Sequence, residues 1–373
     1  MIVLLKRIFL FLLVWLAVPV QGYCFSAQSA VVLEQSTRQI LFESNAYQQM
    51  GMASTTKIMT AIVALEHASP DEIVTVGKNA VGVEGSSMWL ELGEKITVED
   101  LLYGLLLNSG NDAAVALAEH VGGSAEQFCE LMNQKAAAIG ATQTHFVNPN
   151  GLAEEGHYTT AYDLGLIACY ALENDTFQEI VSTKEKSVSW NDRDYDRKLS
   201  NHNKMLRMYE GCDGVKTGFT KSTGRSLVTS ATRDGMQVVA VTLNAPDDWN
   251  DHKAMLDQAF ATYKIVRVFP KNGFVRAVSV TGGEKDFSGV LTESGLSFVC
   301  QKESQPEYQL QVDLPDHLSA PVSRGDELGK AAVLVNGEIV AESKLYAADT
   351  VDSAPMRLFI KNLWEILGMW AVT

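Results

Sequence analysis

The chain reads as an α/β protein of the α+β kind: an antiparallel sheet with an inserted helical region, followed by a small all-β domain and a C-terminal amphipathic helix. Three observations predict this. Strand-like segments lie at both ends of residues 26–265, near 30–43 and 226–243, with Ala- and Leu-rich helical patterning between them. Beyond residue 265 the pattern changes to short β-rich runs punctuated by Gly and Pro. Residues 356–373 then place Leu358, Phe359, Leu363, Trp364, Ile366, Leu367 and Trp370 on one broad apolar face, with Arg357, Lys361 and Glu365 opposite.

Taken in order, residues 1–22 read as an export signal: Lys6 and Arg7 form a charged start, residues 8–20 are almost wholly apolar, and small residues follow. The run is short for a membrane span, which needs about 20 residues. Cys24 follows a bulky Tyr23, which argues against lipid attachment there. Residues 30–34 and 39–43 form a hairpin around Gln35-Ser36-Thr37-Arg38. A helix covers 52–68, and the Gly-rich stretch 82–93 is a loop. Helix 98–107 stops at Asn108-Ser109-Gly110-Asn111. A new helix begins after Asp112, read as its N-cap, and ends at Gly122-Gly123. Ser124 and Gln127 form a capping box for the next, which runs to Gly140. Another helical stretch covers 160–172. Asp234-Gly235 joins 226–232 to 236–243 as a hairpin, and 251–263 is helical. In the all-β domain, residues 266–350, strands are expected at 273–280, 310–314 and 331–334, with Asn336-Gly337 as a hairpin turn. In the tail, 356–373, two tryptophans and a polar stripe favour a helix lying in a membrane interface; docking on its own protein is the alternative.

A chain of 373 residues has room for about two domains. Its net charge of −15 excludes a nucleic-acid partner, which requires a basic face. The five cysteines match no zinc spacing, and the seven histidines form no ligand cluster, so no metal and no cofactor is expected. Cys129 and Cys169 lie in apolar helical stretches and read as buried thiols; Cys212, four residues before Lys216, is a weak candidate for a functional thiol.

The chemistry starts from Ser54-Thr55-Thr56-Lys57 at the head of the 52–68 helix. Residues three apart share a helix face, with Cβ atoms about 5–6 Å apart, so hydroxyl and amine can touch. A lysine at a helix N-terminus opposes the macrodipole. That field and burial both lower the amine pKa. A neutral Lys57 can take the Ser54 proton and leave a nucleophilic alkoxide. The second motif is Ser109-Gly110-Asn111, in a tight break between helices: the hydroxyl can relay a proton and the amide can bind a carbonyl. The third is Lys216-Thr217-Gly218. Lys216 and Thr217 make a carboxylate-binding pair, and Gly218 on a strand admits another backbone, so that a peptide can add to the strand edge. Each motif alone is ordinary; Ser and Thr cap many helices, and Ser-Gly-Asn is common turn chemistry.

The ordered set S-x-x-K, S-x-N, K-T-G is far more specific. With Leu107-Asn108-Ser109-Gly110-Asn111-Asp112, Phe146-Val147-Asn148-Pro149-Asn150-Gly151, His157-Tyr158-Thr159-Thr160-Ala161 and Asp213-Gly214-Val215-Lys216-Thr217-Gly218-Phe219, the chain resembles the low-molecular-weight penicillin-binding proteins of the D-alanyl-D-alanine carboxypeptidase family over residues 26–350. The resemblance implies a serine β-lactamase/transpeptidase-like catalytic domain. Ser54 would attack the penultimate D-Ala carbonyl of a peptidoglycan stem peptide with Lys57 as general base. Ser109, aided by Lys216, would pass the proton to the leaving D-Ala, while Asn111 holds the substrate amide. Lys216 and Thr217 would receive the terminal carboxylate. The backbone N–H groups of Ser54 and Phe219 would form the oxyanion hole, and β-lactam antibiotics would acylate Ser54. It also implies action on the extracytoplasmic face of the bacterial membrane or in the wall. One departure is notable. Some relatives carry an Arg after the K-T-G hairpin where this chain has Asn244-Ala245-Pro246, and Arg225 is the candidate replacement. A D,D-endopeptidase acting on cross-links uses the same chemistry. A β-lactamase is disfavoured because no dedicated deacylating Glu is evident. An inactive peptidoglycan- or penicillin-binding domain is the alternative from a different class.

Overall fold

The computed structural model describes residues 25–190 and 193–354. The expected export signal, 1–22, and amphipathic helix, 356–373, lie outside the described residues, as does Cys24.

Strands β1 (Ser29–Glu34) and β2 (Ile40–Ser44) form the first hairpin. A 3₁₀ turn, Ala53–Thr56, leads into α1 (Lys57–His67). Strands β3 (Ile73–Thr75) and β4 (Lys95–Thr97) pair at the base of the loop between them. Helices α2 (Val98–Leu106), α3 (Asn111–Gly122), α4 (Ala125–Ile139), α5 (Ala161–Ala171) and α6 (Asp175–Ser182) build the inserted region. A short hairpin, β5 (Glu185–Val188) and β6 (Arg197–Ser200), and a one-turn helix, α7 (Met205–Met208), return the chain to the sheet. There β7 (Cys212–Thr220), β8 (Gly224–Arg233) and β9 (Met236–Leu243) precede α8 (Asp248–Thr262).

The five-stranded sheet runs β2-β1-β9-β8-β7 with every pair antiparallel, so strands from both ends of the sequence meet at β1 and β9. Successive side chains point to opposite faces, and both faces are covered. Val31, Leu33, Val215, Val228, Val239 and Val241 pack under the inserted helices. Ala30, Val32, Val238 and Ala240 pack under Met255, Leu256, Ala259 and Phe260 of α8. A fully buried Leu, Met or Phe contributes about 1.5–3 kcal/mol, so the α8 face alone is a substantial anchor. Strand β7 is the open edge of this sheet and passes the 3₁₀ turn.

Several elements start away from the expected residue, among them α8 at Asp248 rather than 251, and two of these shifts bear on the Ser54 and Ser109 segments. The 52–68 segment is divided: Ser54 lies in the 3₁₀ turn and Lys57 opens the α-helix. Three residues per turn eclipses positions i and i+3, which brings the pair together more directly than an α-turn does. Helix α3 begins at Asn111 with Gly110 as its N-cap, and Asp112 lies inside the first turn. The Asp112 carboxylate is needed elsewhere: it accepts hydrogen bonds from the backbone of Met88 and Leu90 and from the Ser87 hydroxyl. It therefore ties the Gly-rich loop to α3.

The C-terminal part comprises β10 (Tyr263–Phe269), β11 (Phe274–Thr281), β12 (Phe287–Thr292), β13 (Leu296–Gln301), β14 (Tyr308–Asp313), β15 (His317–Ser319), β16 (Glu327–Val335) and β17 (Glu338–Ala347). β10 pairs with β13, and the others form a sheet in the order β14-β16-β17-β12-β11-β15. Asn336 and Gly337 both take positive φ, 53° and 83°, as a two-residue hairpin turn requires. Its core holds Val278, Val290, Leu296, Phe298, Ala331, Val333 and Leu345. The seam between the two cores runs through β10: Tyr263 and Ile265 pack with the α8 cluster, whereas Val266 and Val268 pack into the β domain.

Candidate active site

Three segments distant in sequence converge beside the β7 edge. Their order in space follows from local backbone needs. Ala53 and Ser109 both hold positive φ, 49° and 59°, uncommon for residues with a Cβ. In the first case the chain turns sharply into the Ser54 3₁₀ turn; in the second it reverses from α2 to α3. Gly218 meets the first turn from the strand side. A Cβ there would lie 3.0 Å from the Met52 carbonyl and 3.1 Å from the amides of Ser54 and Thr55, so only glycine lets β7 approach Ser54 this closely.

Lys57 is the centre of the arrangement. Its side chain is fully buried, and its Nζ donates to Ser54 Oγ at 3.0 Å, to Asn111 Oδ1 at 2.6 Å and to the Asn150 carbonyl at 2.6 Å. Burial, with the nearby Lys216 second, holds its pKa well below the ordinary lysine value, while Asp112 pulls the other way. Lys216 is also buried and donates to the Thr217 carbonyl at 2.9 Å; burial lowers its pKa to about 7. The site thus carries two amines that burial pushes toward neutrality, one of them within hydrogen-bond reach of a serine hydroxyl.

A cleft of about 350 Å³ opens onto this centre, lined by Ser54, Ser109, Thr217, Gly218, Phe219 and Arg225 among the expected residues, and by Ser86, His202, Lys204, Asp248 and Trp249 besides. Asn111 is placed behind the cleft wall: it is buried, its Oδ1 takes the Lys57 bond, and its Nδ2 donates to the Glu84 carbonyl. Its visible work is to hold Lys57 and the Gly-rich loop. Arg225 reaches the cleft from β8, directly opposite Phe219 in the ladder. Its guanidinium lies 3.0 Å from Asp248 and over the Trp249 ring at 5.6 Å. Burial raises the Asp248 pKa, against the pull of Arg225.

Several contributors were not singled out for a role by their sequence. Asn150 acts through its backbone carbonyl, which has no side-chain signature. Asp248 and Trp249 open α8, just after the end of β9. Cys212 is partly buried and its thiol is pushed up to about 11 by burial, which does not suit a reactive thiolate. No group of His, Cys, Asp or Glu suited to a metal occurs among the described residues.

A family profile described as D-alanyl-D-alanine carboxypeptidase matches residues 18–247, and one described as penicillin-binding protein 5, C-terminal domain, matches residues 263–353. The chain is 35% identical to D-alanyl-D-alanine carboxypeptidase DacF of Bacillus subtilis strain 168, over 92% of this chain and 90% of that protein. It is 31% identical to D-alanyl-D-alanine carboxypeptidase DacC of Escherichia coli K12, over 94% and 90%. Among solved structures, penicillin-binding protein 5 from Haemophilus influenzae matches with a TM-score of 0.68 at 28% identity, covering 88% of this chain and 98% of that one.

Proposed function

The chain belongs to the D-alanyl-D-alanine carboxypeptidase family, and from that premise we propose how its residues divide the work. The activity is that of a serine-type D-Ala-D-Ala carboxypeptidase, a penicillin-binding hydrolase working through an acyl-enzyme. The observation that carries the assignment of roles is the buried Lys57 amine 3.0 Å from the Oγ of Ser54, a residue that lines the cleft.

In this proposal Lys57 takes the Ser54 proton as Oγ attacks the carbonyl carbon of the penultimate D-Ala. Burial favours the amine that can accept it. The N–H groups of Ser54 and Phe219 receive the oxyanion; donors of this kind are typically worth about 10²–10³ in rate. The C–N bond breaks as Ser109, aided by Lys216, passes that proton from Lys57 to the departing D-Ala amine, which leaves Lys57 neutral again. Water, with Lys57 again as base, then hydrolyses the ester. Lys216, Thr217 and Arg225 bind the terminal carboxylate, and Asn111 contributes through the substrate amide and its hold on Lys57. A β-lactam presents a comparable amide, but its leaving nitrogen stays tethered after ring opening, so the acyl-enzyme persists. Peptidoglycan stem peptides are the proposed substrates. The proposed setting is the extracytoplasmic membrane face, with residues 1–22 as export signal and 356–373 as a helix on the membrane surface. No described helix is long and apolar enough to cross a membrane.

The direct test is D-alanine release from a peptide ending in Lys-D-Ala-D-Ala. Release by the wild type and none by Ser54→Ala is the expected result; equal release by both would overturn the assignment.

A further inference from the structure

Residues 146–157 form a support beneath the nucleophile that the reaction steps do not use. Ala53, immediately before Ser54, holds φ +49°, a conformation that persists in a non-glycine residue only where its surroundings over-determine it. Two arms do so. On one side Gly151, at φ +87°, packs so closely that a Cβ would lie 2.0 Å from the Ala53 carbonyl oxygen. On the other, the Thr56 hydroxyl donates to that same oxygen at 2.8 Å.

The Thr56 hydroxyl is itself held. His157 Nε2 lies 2.8 Å from Thr56 Oγ1, and the Val147 N–H donates to His157 Nδ1 at 3.2 Å. The second bond fixes the tautomer: Nδ1 is the acceptor, so Nε2 carries the hydrogen and donates to Thr56. The direction of the chain is then complete, from Val147 N–H to His157, to Thr56, to the Ala53 carbonyl. His157 is only 7% exposed. Burial, and His145 secondarily, lower its pKa to about 4, which keeps the ring neutral as the chain requires. The same loop reaches the other side of the catalytic pair through the Asn150 carbonyl on Lys57 and the Pro149 carbonyl on Thr60.

We propose that His157 is a positioning residue for acylation: through Thr56 it sets the Ala53 carbonyl, and thereby the direction of Ser54 Oγ relative to Lys57 Nζ. It touches no substrate and exchanges no proton. The inference rests on the reading of Ser54 as nucleophile.

Two substitutions separate the bonds. His157→Gln places an amide N–H near the position of Nε2 and keeps the donor to Thr56. His157→Asn places an oxygen near Nδ1 and keeps only the acceptor for Val147. Both are assayed in the full chain for the maximal acylation rate by a fluorescent penicillin, its apparent dissociation constant, and Tm. A misplacement on the order of 1 Å costs about 10²-fold, so His157→Asn is expected to lower the maximal rate about 10- to 100-fold at unchanged dissociation constant. His157→Gln should recover to within a few-fold of wild type although both lose similar Tm. Thr56→Val, which removes the hydroxyl at nearly constant volume, should slow acylation similarly and add nothing when combined with His157→Asn. Wild-type acylation by His157→Asn, or equal slowing of both His157 variants in step with lost Tm, would overturn the proposal and leave His157 a packing residue. A wild type that penicillin does not label at Ser54 would instead sink the nucleophile reading beneath it.

Discussion

Replacing Lys57 by Met separates the chemical work of the amine from its structural work. The methionine keeps most of the buried volume and removes three hydrogen bonds, to Ser54 Oγ, Asn111 Oδ1 and the Asn150 carbonyl. Two of those acceptors, Asn111 Oδ1 and the Asn150 carbonyl, are buried with it. Each buried acceptor left without a donor costs about 1–3 kcal/mol. Against this, the variant no longer buries an amine whose charged form is strongly disfavoured there. The two effects oppose, so the expected change in unfolding free energy is small, within about 2 kcal/mol. The chemical effect has no such offset. Loss of a general base typically costs about 10²–10⁴ in rate, and the acylation rate constant with a fluorescent penicillin should fall by at least the lower figure. Stopped-flow acylation and thermal unfolding of the same preparation measure both quantities. Acylation within tenfold of wild type, by a variant with near wild-type Tm, would refute Lys57 as the base.

Gly218→Ala should slow acylation about tenfold or more with little change in Tm, because the new methyl meets the backbone at Met52, Ser54 and Thr55 rather than a side chain that can swing aside; an unchanged rate would mean that β7 yields freely. For Lys216 the folded pKa, about 7, lies below the ordinary 10.5. Between those values the unfolded chain holds a proton that the folded one lacks, so stability rises with pH across that window, by at most about 1.4 kcal/mol per unit, and the gain is absent below pH 7. Lys57, whose amine burial also pushes toward neutrality, adds a slope of the same sign, so denaturant unfolding at a series of pH values should show a shallower rise with pH in Lys216→Met than in the wild type; identical slopes would contradict the burial argument. Arg225→Ala should raise KM for a D-Ala-D-Ala peptide about tenfold, the lower end for a charge-assisted bond at a partly exposed group, with kcat little changed. An unchanged KM would remove Arg225 from the carboxylate site.

The Ser54–Lys57 contact was legible because it is local: the two are three residues apart, and either a 3₁₀ or an α-turn puts them on one side. Lys216, Thr217 and Gly218 were legible because Asp234-Gly235 marks the hairpin beyond them and places the triad on a strand. Long-range partners were harder. Asp112 looked like a cap by residue type, but the cap is decided by where the chain reverses, and Ser109 at positive φ moves that reversal two residues earlier. The carbonyl of Asn150 and the ring of His157 come from one loop whose path depends on tertiary packing, and nothing local to them in the sequence says that they face Lys57 and Thr56. The β3–β4 and β5–β6 pairs escaped because strands of three or four residues carry too little alternation to stand out. Arg225 was legible as a cation near the hairpin, whereas its ion pair with Asp248 depends on how α8 begins.

The account turns on whether Ser54 is the acylated residue. Incubating the protein with benzylpenicillin, digesting it and locating the penicilloyl adduct by mass spectrometry tests this most directly. An adduct confined to the peptide containing Ser54, and lost in Ser54→Ala, is the predicted result. An adduct on Ser109 or elsewhere, or labelling that persists in Ser54→Ala, would contradict it.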